Sequence, residues 1–553
     1  MKRRVSKAWK KLAARLPRLG NNVLLALFLL VVRSSTGREV ALTLLQTTDL
    51  HGRLDNPIPE RPGDLPQAGL FRLASLMEAV RAETPNVLRV DSGDTLQGTP
   101  GSRASGGRLM VRAMELLRYD AWVPGNHDFD WGCEAFRDLH DRTGLTMLAA
   151  NIGGRPGAPP PLPKIRPFVI CEVDGVRVAL IGLTTPGIPN WLVPELLGPL
   201  TVSASVPALE AIMPRVRAER PDVWVLIVHQ GHRPQDDCAN EINAIARAFP
   251  EFDVILGGHT HESVAGREVN GALYLQAGCH GHFLGRVDLT YDTVARRVTR
   301  RVGRLIPVTP DTPAHPALET ELGPEWRRPT AALDRRIGEA AAPLSAGGAP
   351  PGLTAVAALL RAAIAEATGA DIVLHGQLSG AALDVGPIRE RDLWRVVPYE
   401  NRLGLAWLTF GEVREILEEN MTQWGTGSFM GARGVAGLLR PEAPAGKRVA
   451  GLTRPDGSVP HSRRRWAVAF NSHTLASAGL RFPRLREIVR RPESRFEFRE
   501  DDTREVLRAY VRKHSPLQPP DDPEEGLRVE RPAAGPSHPS ETDAEQRRKE
   551  ASP

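Results

Sequence analysis

The chain has 553 residues, too many for one ordinary core, and its 25% charged and 41% apolar composition is that of a globular protein with two or more domains. Its formal net charge of +6 comes from one end: residues 1–20 carry eight Lys or Arg and no acid, and without them the rest of the chain stands at −2. A nearly neutral remainder gives no case for a nucleic-acid groove.

The basic start leads into a continuous apolar run at 23–32 (VLLALFLLVV), followed by small residues at 34–37. Basic, apolar and small regions in that order predict a secretory signal peptide over 1–38. The apolar run is about half of the ~20 residues a spanning helix needs, so no stable membrane span is expected. The expected location is periplasmic or extracellular; the alternatives are a cytoplasmic chain and an N-terminally anchored one. The four cysteines, Cys133, Cys171, Cys238 and Cys279, are far apart and form no C-x-x-C, which argues against a thiolate zinc site or a dithiol redox motif.

From residue 40 to about 310 a pattern repeats: a short apolar run, a Gly-containing polar loop, a helical stretch. The runs ending at Leu45, at 87–90, at 223–228 and at 252–256 are short and rich in Val, Ile and Leu, and predict buried strands. Residues 71–82 (FRLASLMEAVRA) have helical spacing and separate the first two. Alternation of this kind predicts an α/β layered domain, β-sheets flanked by helices, over 39–308. Prolines 310, 313, 316, 324 and 329 mark 309–335 as a linker. A smaller α/β domain is expected over 336–520, with helices at 353–368 and 411–420. From 521 to 553 Pro, Glu, Ser and Arg dominate, which predicts a disordered tail.

Five strand-like runs of the first domain end in metal-ligand residue types: Thr48-Asp49-Leu50-His51, Asp91-Ser92-Gly93-Asp94, Gly125-Asn126-His127-Asp128, Val228-His229-Gln230-Gly231 and Gly258-His259-Thr260-His261. Ligands of open α/β sheets gather beyond the carboxyl ends of strands, so five such ends can face one cleft. Asp, Asn and His are oxygen and imidazole donors suited to Mn²⁺, Fe, Zn²⁺, Co²⁺ or Mg²⁺. Two ions about 3.5–4 Å apart clamp the attacking and leaving oxygens of an in-line displacement at phosphorus, an arrangement that needs a bridging carboxylate such as Asp94.

These segments resemble the calcineurin-like metallophosphoesterases, and among them the 5′-nucleotidase family. DLHG, DSGDTLQGTP, GNHDFDWG, VHQG and GGHTHE stand in the family's order over about residues 42–305. The resemblance implies one divalent ion held by Asp49, His51, Asp94 and His261, and a second by Asp94, Asn126, His229 and His259. It also implies that His127, oriented by Asp130, assists the transition state or leaving group. Asp128 stands where the family more often has Glu, at a position that is no ligand. His232 reads as a loop histidine, and His280 and His282 (AGCHGHFLG) fall on a strand–turn beside the site.

The second domain is similar to the 5′-nucleotidase C-terminal domain in GADIVLHG at 369–376, in 396–420, in WAVAFNSHTLASAGL at 466–480 and in 504–519. It departs from that pattern where nucleotide contacts are made. The turn after Leu374, His375-Gly376-Gln377-Leu378-Ser379-Gly380-Ala381, carries no Arg, and Ser477-Ala478-Gly479-Leu480 lacks the family's Asp. Loss of an Arg fork removes bidentate phosphate recognition. The resemblance therefore implies an exported hydrolase of small-molecule phosphate mono- or diesters with two divalent ions, whose substrate-binding residues are unknown and whose preference for nucleotides is weak. The rival readings are a sulfur-compound hydrolase on the same scaffold and a non-catalytic binding or surface protein.

Overall fold

The computed structural model describes residues 38–58, 68–157, 159–520 and 525–530. The leader expected over 1–38 lies, except for its last residue, outside the described residues, and so does the tail expected over 521–553, except for residues 525–530.

The first domain stacks two sheets face to face. One runs in the order Arg297–Pro307, Phe283–Asp292, Glu39–Thr47, Val87–Asp91, Ala121–Trp122; the other runs Ser263–Val269, Ala272–Ala277, Val254–Leu256, Val223–Val228, Val176–Leu183, Phe168–Val173. Between them lies an apolar core that includes Leu42, Leu44, Val90, Leu180, Val225, Ile227, Leu256 and Val287. Helices cover the outer faces. Leu70–Glu83 buries Leu70, Phe71, Leu73, Ala74, Met77 and Val80, the i, i+3, i+4, i+7 stripe of an amphipathic helix. Ser205–Ala218 and Ile242–Ala248 cover the second sheet through Leu209, Ile212, Met213, Ile242 and Ile245. Strands covered on both faces need no polar alternation, which is why 223–228 reads as an unbroken apolar run.

The central strands are parallel, with Thr47 opposite Asp91, Asp91 opposite Trp122, and Ile227 opposite Leu256. Their carboxyl ends therefore finish on one edge. The third of these runs is a strand only at Ala121–Trp122.

Residues 309–335 form more than a strap. Pro316–Thr330 is a helix that starts with proline at its first position, where a missing N–H costs nothing. Its Trp326 is fully buried, donates to Asp55 Oδ1 at 2.8 Å and packs on Gly101, where even a Cβ would come within 2.5 Å of the indole. Three of the five prolines that mark this stretch as a connection, Pro316, Pro324 and Pro329, thus sit in a helix docked on the first domain.

The second domain has a mixed sheet in the order Gly431–Arg433, Ile372–His375, Arg465–Asn471, Arg402–Thr409, Glu497–Asp502. Ala355–Thr368, capped by Thr354, and Thr503–His514 cover one face; Phe410–Asn420 covers the other and starts with a Thr409/Glu412 capping box. Residues 525–530 depart from the expected tail. Leu527–Val529 pairs in parallel with Ala436–Leu439, Leu527 is fully buried, and Glu525 takes the ion pairs of buried Arg361 and of Arg433. One apolar residue on an edge strand and one acid beside a buried cation are enough to order a segment whose composition reads as disordered.

Candidate metal centre

Asp49 and His51 follow the first strand, Asp94 the second, Asn126 the third, His229 the fourth, and His259 and His261 the fifth; parallel pairing brings all seven to one place. Asp49, His51 and His261 form one group of convergent donors, and Asp94, His229 and His259 form another, each with its donor atoms within 4.8 Å of one another. In the first group the Nε2 atoms of His51 and His261 are 3.0 Å apart and His261 Nε2 lies 3.4 Å from Asp49 Oδ1. Asp94 stands between the groups, its Oδ2 3.1 Å from His229 Nε2 and 3.8 Å from His51 Nε2.

The backbone is held out of its ordinary wells to do this. Asp49, His51, Asp94, His259 and His261 all have left-handed φ, between 47° and 72°. Such conformations cost a non-glycine residue on the order of 1 kcal/mol each and persist where the surroundings over-determine them. The surroundings do so here. Gly93 has φ 96°, and a Cβ on it would come within 2.7 Å of Gly125 N and 2.8 Å of His229 Nδ1. A Cβ on Gly125 would strike Asp94 Oδ1 at 2.1 Å. Asp128, fully buried, accepts the backbone N–H groups of Asp94, Thr95, Leu96 and Gly125 at 2.7–3.0 Å and so ties the second and third loops together. The only sign of this role in the sequence is an Asp three residues after Gly125, in the same loop as Asn126 and His127. Asp91 plays a like part, accepting Thr47 Oγ1 and Thr95 Oγ1, both at 2.6 Å.

These donors fit cations. Asn126 Oδ1 is buried and makes no hydrogen bond, and the buried His229 Nε2 faces the Asp94 carboxylate. His229 Nδ1 lies 2.7 Å from the Ser92 carbonyl, which leaves Nε2 as the nitrogen that could bind a cation. Burial disfavours charge on Asp94, but the imidazoles of His229 and His127 hold its carboxyl well below the usual range. Burial, reinforced by His229, takes His259 down to about 3, leaving a neutral imidazole, the form that binds metals.

His127 Nδ1 lies 2.8 Å from Asp130 Oδ2, and the His127 N–H donates to Asp94 Oδ1 at 2.8 Å. Burial opposes the protonated ring, while Asp130 and Asp94 lift it to about 9. His232 is a loop histidine with its own partners, its ring nitrogens 3.2 Å from Asn243 Oδ1 and 3.0 Å from Arg267 Nη1. His280 is packed near His51 and His261, with ring centroids 5.7 and 5.8 Å away, and His282 follows behind it.

The second domain closes over this edge. Tyr399 stacks on His127 with ring centroids 5.4 Å apart and planes 16° from parallel. A cavity of about 400 Å³ lies between the domains, lined by Asn126, His127, Trp191, Tyr399, His473 and Arg481 among others. Two sets of contacts flank it. On one side Gln97 donates to Glu400 Oε2 at 2.8 Å and to the Pro398 carbonyl at 3.1 Å, while Arg504 holds Glu400 Oε1 at 3.0 Å. On the other the Gly479 N–H donates to the Asn190 carbonyl at 2.8 Å and Arg490 pairs with Glu195. Gln377 reaches the cavity; His375 does not, being buried 3.1 Å from Asn471 Nδ2. Arg481, which also lines the cavity, stands in no motif of the sequence that marks it as a site residue.

Stacked sheets with metal-type donors on one strand edge define a calcineurin-like phosphoesterase. Residues 42–263 match the calcineurin-like phosphoesterase family, and residues 336–487 match the family described as 5′-nucleotidase, C-terminal domain. Protein UshA of Yersinia enterocolitica is 25% identical over 531 residues, covering 86% of this chain and 92% of that protein. A putative 5′-nucleotidase from Staphylococcus aureus has the same fold, with a TM-score of 0.74 at 19% identity over 89% of this chain and all of that one. So does the sulfate thiohydrolase SoxB of Thermus thermophilus, with a TM-score of 0.60 at 19% identity, over 90% of this chain and 98% of that one. The chain thus joins a calcineurin-like phosphoesterase domain to a 5′-nucleotidase C-terminal domain, and it is a metal-dependent hydrolase of phosphoric esters.

Proposed function

We propose that the chain hydrolyses small phosphate mono- or diesters, nucleotides among them, at a centre of two divalent ions. Asp49, His51, Asp94 and His261 would hold one ion; Asp94, Asn126, His229 and His259 would hold the other. The observation that carries this reading is the place of Asp94, whose single carboxylate faces a histidine of each donor group. Ions bound there supply Lewis-acid activation of water and neutralise charge that develops at phosphorus. The chain's own part is to fix that charge in space. His127, with Nδ1 committed to Asp130, presents its other nitrogen as a donor for a phosphoryl or leaving-group oxygen, and the Asn126 amide stands beside it. Tyr399 and the second domain shelter the site from water, which strengthens each of these interactions.

The ester's organic part would lie in the interdomain cavity, against Trp191 and Tyr399. Among the described residues no helix is long and apolar enough to cross a membrane. Export is supported by the basic and apolar order of 1–38. The purified chain, stripped with a chelator, should regain hydrolysis of phosphate esters when Mn²⁺ is restored. A panel that includes thiosulfonates tests the chemistry: turnover of the sulfur compounds alone would replace this reading with that of a sulfur-compound hydrolase.

A further inference from the structure

Beside the proposed centre, three donors converge that the seven-ligand scheme does not use together: His261, Cys279 and His280, with their donor atoms within 4.8 Å of one another. We propose that they form a further cation position, one that takes a thiophilic divalent ion of the zinc or cadmium class. It shares His261 with the proposed centre and rests on that reading only there.

Cys279 and His280 lie in the turn after Ala272–Ala277, and both are buried. The His280 N–H donates to the Asp49 carbonyl at 2.8 Å, which locks the turn to the first ligand loop. His280 itself is held at φ 58°, a conformation that favours glycine, and its Nδ1 makes no hydrogen bond although the residue is 2% exposed. A buried imidazole nitrogen without a partner is unusual unless something binds it. An ion bonded at about 2.0–2.3 Å to nitrogen and sulfur keeps its donors within about 4.6 Å of each other, so small rotations close this group around one. Three protein donors with a fourth position left open are sufficient for zinc, and a thiolate among them selects against Mn²⁺ and Mg²⁺. Binding would take the thiol proton from Cys279 and, where His261 also serves the proposed centre through its other nitrogen, the remaining ring proton of His261, and release both to solvent. The lack of any C-x-x-C hides such a site in the sequence, because its donors come from two segments. Among the described residues no other cysteine joins a group of three donors.

Cadmium reports sulfur ligation directly through an ultraviolet thiolate-to-metal charge-transfer band. The full chain, reduced and metal-free, is saturated with Mn²⁺ and then titrated with Cd²⁺, with Cys238→Ser as the background because Cys238 is exposed. The band should grow to one equivalent, vanish in Cys279→Ser, and require at least roughly tenfold more Cd²⁺ in His280→Gln. Melting curves of both variants establish that they are folded. No band at saturating Cd²⁺, an unchanged band in Cys279→Ser, or unchanged affinity in folded His280→Gln would each overturn the site and leave Cys279 a packing residue. Failure of the proposed centre shows elsewhere, as Mn²⁺ binding that survives Asp94→Asn.

Discussion

Asp94 faces His229 with 3.1 Å between Oδ2 and Nε2, and neither group has a polar route to solvent, since both residues are essentially fully buried. A carboxylate and an imidazole so placed at the meeting of two donor groups have the arrangement that the proposed two-ion centre requires. Asp94→Asn removes the bridging charge and keeps the shape. It should lower phosphoesterase turnover by orders of magnitude and reduce bound metal. Metal analysis alongside steady-state rates checks it; near wild-type turnover with full metal content would remove Asp94 from the centre.

His127 should part company with the metal ligands. In the proposed mechanism it acts through a hydrogen bond, and its ring is tied to Asp130. His127→Ala should cost roughly 10²–10⁴ in kcat with metal content unchanged. If metal is lost in step with activity, His127 is itself a ligand.

Glu400 and Arg504 are both buried, and Arg504 also lies over the Trp394 ring at 3.5 Å. Removing the acid strands a guanidinium away from water, which costs about 3–5 kcal/mol for a buried pair. Glu400→Ala should destabilise the second domain by that order in denaturant unfolding. It should also loosen Tyr399 from His127, because the next residue loses its tie to Gln97. An unfolding midpoint equal to wild type would show that the contact carries no stability.

The five donor-bearing loops are legible in the chain because each donor lies within five residues of the end of the strand before it, and short-range spacing survives in a sequence. The helices at 71–82 and 411–420 are legible for the same reason, one from its apolar stripe and the other from Thr409 and Glu412 at capping distance. What long-range contacts decide is not legible. Nothing near Trp326 tells that Gly101 leaves room for its ring, so 309–335 reads as a linker. Nothing near Leu527 tells that Ala436–Leu439 offers an open edge. Asp128 looks like a conservative swap until its four backbone donors are placed around it.

Substrate preference is the sharpest test of the second domain. A site built on charged partners rejects ligands that cannot use them, and a site without them cannot reward ligands that could. The stretch after Leu374 contributes Gly376, Gln377 and Leu378 to the cavity and no cation. Buried Arg361, the first Arg before it, is spent on Glu525 and on the carbonyls of Gly352 and His375. Arg481 is the cavity's only arginine among its described lining residues, and it already donates to the Ala478 carbonyl at 2.7 Å. One exposed guanidinium with a competing partner offers a nucleotide little beyond what any phosphate ester finds at the metal centre. The catalytic efficiency for adenosine monophosphate should therefore lie within about tenfold of that for a simple aryl phosphate, about 1.4 kcal/mol of discrimination or less. Arg481→Ala should change the ratio of the two efficiencies by no more than that same factor. Steady-state kinetics on both substrates decides the matter: a preference of roughly a thousandfold for the nucleotide, about 4 kcal/mol, would mean that Gln377, His473 and Arg481 rebuild a nucleotide site by contacts of their own.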